Sequence, residues 1–342
     1  LAQFLEYLES GERDPEEITF MEPQAGGACR AGNIYNLLQR VLYRMVEQGQ
    51  LEYAQIPVIS LNLMGEEKHT GFRITPSLLS GGIAAGCYGD LIMCLYQQVK
   101  PYEQNPGETD RIRSQVEKKL CESIRRHRNG RHTREKNYRY ACEVFSKVPV
   151  KPGKKKRVGI TGEIYMKYSK LGNDDIESFL LRQGMEPYSG GFINYCLYLV
   201  DTERYKAEKY QRNPIMAKAC AFVLHRLCEA QKHLLTVIGE TDRFQTDLPF
   251  PELKEKVQGI LAEGCNTGDG WLIAAEVIQY VEKGCGSVLI LHPFGCLVSH
   301  VCERGILQRL HARFPDVSIL TIEYDYDQSK TLRESRILLA IS

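Results

Sequence analysis

The tightest constraint on the fold lies at the carboxyl end, where two short apolar runs alternate with two amphipathic ones. SVLILHP and VSILTIEY read as strands, followed by helices from about Leu297 to Phe314 and from Lys330 to Ala340. Strands that are apolar at nearly every position need cover on both faces, the condition of a parallel sheet flanked by helices. Joining parallel strands takes a crossover of a dozen or more residues, and the intervening helix supplies it.

The same alternation opens the chain. ITFMEP (Ile18 to Pro23) reads as a strand, QAGGACRAGN as a small-residue turn, and IYNLLQRVLYRMVEQG as a helix with Ile34, Leu37, Leu38, Val41, Leu42 and Met45 at spacings of three and four. IPVISLNL (Ile56 to Leu63) follows as a second strand, giving β-α-β. From Ser77 to Tyr96 a helical pattern runs, weakened by Gly81, Gly82 and Gly86. Helices are expected over Thr109–His127 and Arg134–Phe145, then a linker in the Pro- and Lys-rich SKVPVKPGKKKR. VGITG (Val158 to Gly162) is the next strand. Helical stretches follow at Asp174–Gln183, Thr202 to about Ile238 with a break near Asn213-Pro214, and Trp271–Lys283.

The expected fold class is therefore α/β: two Rossmann-like or flavodoxin-like domains with parallel sheets and additional helices, 1–150 and 151–342. The first domain shows only two convincing strands. Further strands are expected upstream of Leu1, as in a piece of a longer polypeptide.

Charge and cysteine usage narrow the function classes. Lys and Arg number 44 against 43 acidic residues, a balance that argues against a dedicated nucleic-acid or membrane-surface protein. No run approaches the roughly 18–20 apolar residues that span a bilayer, and no signal peptide opens the sequence. The twelve cysteines form no CxxC pair, which leaves out zinc ribbons. With no export signal, a reducing cytoplasm is expected and most thiols read as small buried hydrophobes.

Two cysteines stand apart. Cys29 follows the strand ITFMEP and Cys296 follows SVLILHP, each at a strand's carboxyl end beside a helix start. Ligands of open α/β sheets bind there, and a helix amino terminus lowers a thiol's pKa toward the thiolate that ligates iron or zinc. Gly27 and Gly295 let the backbone approach a bulky ligand. Two other readings stay open: buried structural cysteines, or a catalytic thiol, for which His292 and His300 are the only histidines near Cys296.

Glu163, after VGITG, is either a general base or an acceptor that fixes the loop, and the second is the commoner role. Neither a GxGxxG nor a Walker sequence occurs, so no nucleotide site is expected. Arg111 to Arg139 holds 11 Arg or Lys against 3 Glu. It reads as a solvated helix face, or as an anion site for a cofactor such as coenzyme A. Asp325 and Asp327 are expected to cap the last helix rather than bind metal.

Six stretches together resemble the carboxy-terminal part of the 2-hydroxyacyl-CoA dehydratase activase-related proteins. These are CoA-substrate-specific enzyme activases with domains like the subunits of 2-hydroxyglutaryl-CoA dehydratase and benzoyl-CoA reductase. The stretches are GACRAGNIYNLLQRVL, YGDLIMCLYQQVKPYEQNPGETD, VGITGEIYMKYSKLGNDDIESFL, GWLIAAEVIQYVEKG, SVLILHPFGCLVSHVCERGIL and IEYDYDQSKTLRESRI, in the family's order over nearly the whole chain.

The resemblance implies a dehydratase-subunit-like fold that holds a [4Fe-4S] cluster through cysteines. Cys29 matches the family's GxCR segment and Cys296 its FGC segment. It implies one-electron, ketyl-radical chemistry on a CoA thioester, or electron transfer to it, in the cytoplasm of an anaerobic bacterium. Implied partners are other domains of the same long polypeptide or an ATP-dependent activase, and acyl-CoA; no ATP site, nucleic acid or membrane is implied for this part. The family's third cysteine has no good match: Cys196 falls a few residues late. Cys87, Cys265, a residue upstream, the substrate or a partner chain are the alternatives. The rival reading is a non-catalytic docking or regulatory module of a larger activase-type polypeptide.

Overall fold

The computed structural model describes residues 2–11, 14, 17–23, 30–49, 56–61, 75–210, 213–325 and 327–342. By their contacts the residues form two units, Leu1–Arg73 with Cys296–Val298, and Ile74–Gly295 with Ser299–Ser342.

In the first unit, α1 (Ala2–Glu9) precedes β1 (Phe20–Pro23), α2 (Ile34–Glu47) and β2 (Val58–Leu61). The strands pair in parallel, from Phe20 opposite Val58 to Pro23 opposite Leu61, so the element is β-α-β. Leu38 and Leu42, one turn apart on α2, are its buried positions, while Leu37 on the same apolar pattern is 60% exposed. The ring of Phe4 meets the edge of Phe20 at 4.7 Å.

The second unit begins with three helices, α3 (Pro76–Val99), α4 (Glu108–Arg125) and α5 (Arg131–Ser146). Despite its glycines α3 is a 24-residue helix, capped by the Thr75 hydroxyl, which accepts the Leu78 N–H at 3.1 Å. Length and composition would let Ser77–Tyr102 cross a bilayer, contrary to the expectation from run length. In this fold it is a core helix: Ala84, Cys87, Tyr88, Leu91, Leu95 and Val99 are buried with Tyr138 and Phe145 of α5. Tertiary packing of that face offsets the propensity lost at glycine.

The stretch 146–157, expected as a linker, lies within this unit. Val148 is buried, and the Lys151 N–H donates to the Tyr102 carbonyl at 2.7 Å. It leads into β3 (Arg157–Gly162), α6 (Ile164–Tyr168), α7 (Ile176–Arg182), β4 (Glu186–Tyr188), α8 (Phe192–Lys209), α9 (Pro214–Gly239), α10 (Phe250–Lys256) and α11 (Gly270–Glu282). Last come β5 (Cys285–Pro293), a π-turn (Ser299–Glu303), α12 (Arg304–Arg313), β6 (Ser318–Tyr324) and α13 (Lys330–Ile341). The break expected near Asn213-Pro214 is present: the Asn213 carboxamide oxygen accepts the Ile215 and Met216 amides and caps α9.

All four strands are parallel, in the order β4-β3-β5-β6. The architecture is α/β with a four-stranded parallel sheet and many helices. Alternation along β5 shows why its sequence is apolar throughout. Val288 and Ile290 join one core with α3, α5, α8, α9, α11 and α12, while Leu289 and Leu291 join the other with α6, α7 and α13. On β3 the first face is shared by Gly159, where a Cβ would lie 2.7 Å from Cδ2 of Tyr280, so glycine lets α11 come close.

Candidate functional site

Counted within the second unit, the strand order is 2-1-3-4: the chain turns one way from β3 to β4 and then crosses back to β5 and β6. In doubly wound sheets such a reversal opens a crevice at the carboxyl ends of the two strands that flank it. Here those ends are Gly162 of β3 and Pro293 of β5.

Just past β3 the backbone turns at Gly162, with φ +130°, where any Cβ would run into the carbonyl of Leu291. Glu163 then caps α6. Its carboxylate accepts the Met166 N–H at 3.0 Å and its own N–H donates to Leu291 at 2.8 Å, so it fixes the loop. Burial pushes its carboxyl up.

One turn on, Lys167 is buried and its Nζ donates to both oxygens of Glu276 on α11, at 2.7 and 2.9 Å. The Thr161 hydroxyl donates to the same carboxylate at 2.6 Å. Asp269 lies beside them, its carboxyl driven well above the usual range by burial and then by the charges of Glu163 and Glu276. Lys167, Glu276 and Asp269 line, with Tyr168 and Tyr195, a cavity of about 10 Å³, room for one water. Asp90 accepts the Phe192 and Ile193 amides at the start of α8, and burial pushes it up to about 7.

At β5 and β6 a different set converges. His292 stands opposite Glu323 in the parallel register, so both side chains leave the same face, and the π-turn brings in His300. One ligand atom from each of the three lies within 4.8 Å of the others. His300 Nε2 is 3.6 Å from Glu323 Oε1, and Arg304 holds the second carboxylate oxygen at 3.0 Å. The rings of His292 and His300 meet edge to face at 5.3 Å. Burial lowers the pKa of His292, favouring the neutral imidazole. Glu303, on the same turn, is buried with neither oxygen in a well-formed hydrogen bond, and burial pushes it up to about 8.

Cys296 stands on the turn after β5 and is half-buried; Cys29 lies outside the described residues. The thiols whose shifts are resolved lie on helices or at a strand's amino end. Burial raises Cys87 and Cys142 to about 11, Cys196 to about 12, Cys228 to about 11 and Cys285 to about 12, and pushes Cys94 and Cys220 up as well. Cys265 lies on the loop before α11, where its carbonyl accepts the Trp271 N–H at 2.9 Å. Among the described residues no three thiols come together, and the one metal-competent group is His292, His300 and Glu323.

In the basic segment three of the eleven cations form close ion pairs among the described residues: Arg113 with Glu117, Arg126 with Glu122, and Arg139 with Glu135 and Glu240. Arg111, Lys118 and Lys119 nonetheless line, with Tyr140, an open groove of about 720 Å³. The expected acidic cap on α13 is not formed. Its N-cap is Ser329, whose side chain makes no cap bond, and the Asp325 carboxylate turns to the Asp327 amide at 3.4 Å.

Sequence reasoning missed Lys167, Glu276, Asp269 and Glu323. Glu276 was the readable one, a lone carboxylate inside the apolar run GWLIAAEVIQY. A charge there is tolerated only with a buried partner. No family model, curated protein or solved structure matches the chain.

Proposed function

We propose that this chain is an iron–sulfur protein domain of the 2-hydroxyacyl-CoA dehydratase type, built on Rossmann-like α/β domains. It would serve one-electron chemistry on a CoA thioester, or electron transfer to it, with Cys296 as a thiolate ligand and Cys29 as its counterpart in the first domain. The support is the six ordered stretches of resemblance and, from the geometry, one observation: Cys296 is the described thiol on a turn between a strand's carboxyl end and the helical segment after it.

A cluster with one open iron needs three thiolates. The described residues supply Cys296 and no ligand group that includes it, so by themselves they do not fit a complete cluster. The remaining thiolates have to come from residues outside the described set, Cys29 among them, or from a partner chain.

The test is anaerobic purification of the full-length polypeptide, reconstitution, and iron and sulfide analysis. About four of each per chain are expected, lost in Cys296→Ser. Less than about one iron per chain, or an undiminished content in Cys296→Ser, would overturn the reading. The docking-module alternative has one feature in its favour. The first half of α9 stands clear of the core, with Ile215 78% and Phe222 68% exposed.

A further inference from the structure

We propose that His292, His300 and Glu323 hold one divalent first-row transition ion, zinc or ferrous iron, at the carboxyl ends of β5 and β6. The inference stands apart from the cluster reading and uses no cysteine.

Three independent features carry it. First comes the donor set. Two imidazoles and a carboxylate form the three-ligand pattern of open zinc sites and of ferrous facial triads, which leave positions for water or a substrate oxygen. Second is placement by rigid elements. His292 and Glu323 are fixed opposite one another by the strand register, which continues to the Phe294 N–H, donating to the Tyr324 carbonyl at 2.8 Å. His300 comes from a π-turn, a departure from regular helix that recurs at functional sites.

The third feature is the state of His292. It is 0% exposed, and its Nε2 has no hydrogen-bond partner. Its Nδ1 lies 3.3 Å from the Pro293 carbonyl, which can only accept. The proton therefore sits on Nδ1 and the lone pair on Nε2. Histidine ligands are commonly prepared for metal this way, one ring nitrogen donating to a carbonyl and the other left bare. A ring that merely filled the core would leave Nε2 desolvated with nothing in return.

Around these three, Arg304 occupies one oxygen of Glu323 and leaves the other toward His300, as an outer-shell group orients a ligand. His300 and Glu323 are partly solvent-exposed, so an ion can enter and keep water. Tetrahedral coordination at about 2.1 Å sets ligand atoms roughly 3.4 Å apart. Starting within 4.8 Å of one another, the three need a contraction of at most about 1.4 Å, which rotation of His300 and Glu323 can supply.

The experiment is a titration of the chelator-stripped, reduced chain with zinc and with cobalt(II). One ion per chain is expected at this site. His292→Gln, His300→Gln and Glu323→Gln should each weaken it at least tenfold, and the triple variant should lose it. The cobalt spectrum should lack a thiolate-to-cobalt charge-transfer band and be unchanged in Cys296→Ser. Zinc should raise the melting temperature of the unsubstituted chain but not of the triple variant. Equal zinc content in the triple variant, or a charge-transfer band that Cys296→Ser removes, would overturn the proposal. Should His292→Gln fail to fold, His300→Gln, on the exposed side, carries the same comparison. Sulfide content is read separately, so failure of the cluster reading leaves this test intact.

Discussion

Replacing Lys167 by Met removes one partner of a buried pair while keeping the length of the side chain. The side chains of Lys167 and Glu276 are only 4% and 3% exposed. The substitution strips Glu276 of contacts at 2.7 and 2.9 Å and leaves it the Thr161 hydroxyl alone. Breaking a buried pair from one side costs about 3–5 kcal/mol, because the surviving charge stays desolvated. Removing both charges, in Lys167→Met with Glu276→Met, should restore at least half of that loss. Thr161 then forfeits an acceptor, at about 1–3 kcal/mol. The chain's single tryptophan, Trp271, is buried on α11 five residues before Glu276, so its fluorescence reports this region in urea. At a slope of about 3 kcal/mol per M the single variant should shift the midpoint down by about 1–1.7 M. A shift of under about 0.3 M, or a double variant no better than the two single losses added, would refute the reasoning.

Asp90 gives a pH dependence. Its carboxyl, ordinarily near 3.8, is raised to about 7, so its proton stabilises the fold below about pH 4 and that contribution is lost as pH rises through 7. The Phe192 and Ile193 amides use separate oxygens of Asp90, so Asp90→Asn keeps one of them and sets its NH2 against the other at a pH-independent cost. Relative to the unsubstituted chain its stability should therefore rise between pH 4 and 8, by up to roughly 4 kcal/mol in urea titrations; a difference that does not change with pH would remove the argument. Gly162→Ala combines a left-handed φ with collision against the Leu291 carbonyl and should cost roughly 3 kcal/mol or more, seen as a lowered melting temperature. Ile215→Ser with Phe222→Ser, at exposed positions of α9, should leave the melting temperature of the isolated chain within about 1–2 °C.

What could be read from the sequence follows from where the information sits. β5 was legible because both its faces are buried, and a strand apolar at nearly every position has few alternatives; β6, an edge strand that is half-buried at Ser318, Leu320, Thr321 and Glu323, still carries the apolar run Ile319, Leu320 and Ile322. β4 was not, because Glu186, Pro187 and Tyr188 make three residues without alternation or an apolar run. The length of α3 was hidden by its glycines, since what holds it is the packing of a buried face. The turn that carries Cys296 could be placed from the strand–glycine–helix order alone. The His292, His300 and Glu323 group could not. Its members are spread over some thirty positions, and they meet only once β5 and β6 pair in the observed register and the π-turn rotates His300 toward them.

That group and the thiol nonetheless share one short segment. His292 and His300 bound the loop that contains Cys296, four residues from either end. Holding a backbone residue in one conformation costs roughly 1–2 kcal/mol, so a loop of seven residues between two fixed points is ordered at appreciable expense. An ion bound by both histidines would fix those ends in advance and lower the entropic penalty for presenting the thiolate between them. Two metal chemistries on one segment would then be coupled in a definite direction. His300→Gln, which leaves every cysteine in place, should slow cluster reconstitution, and added zinc should speed it in the chelator-stripped unsubstituted chain but not in the variant. Equal reconstitution rates in the two chains, with and without zinc, would show that the ion site and the thiol act independently.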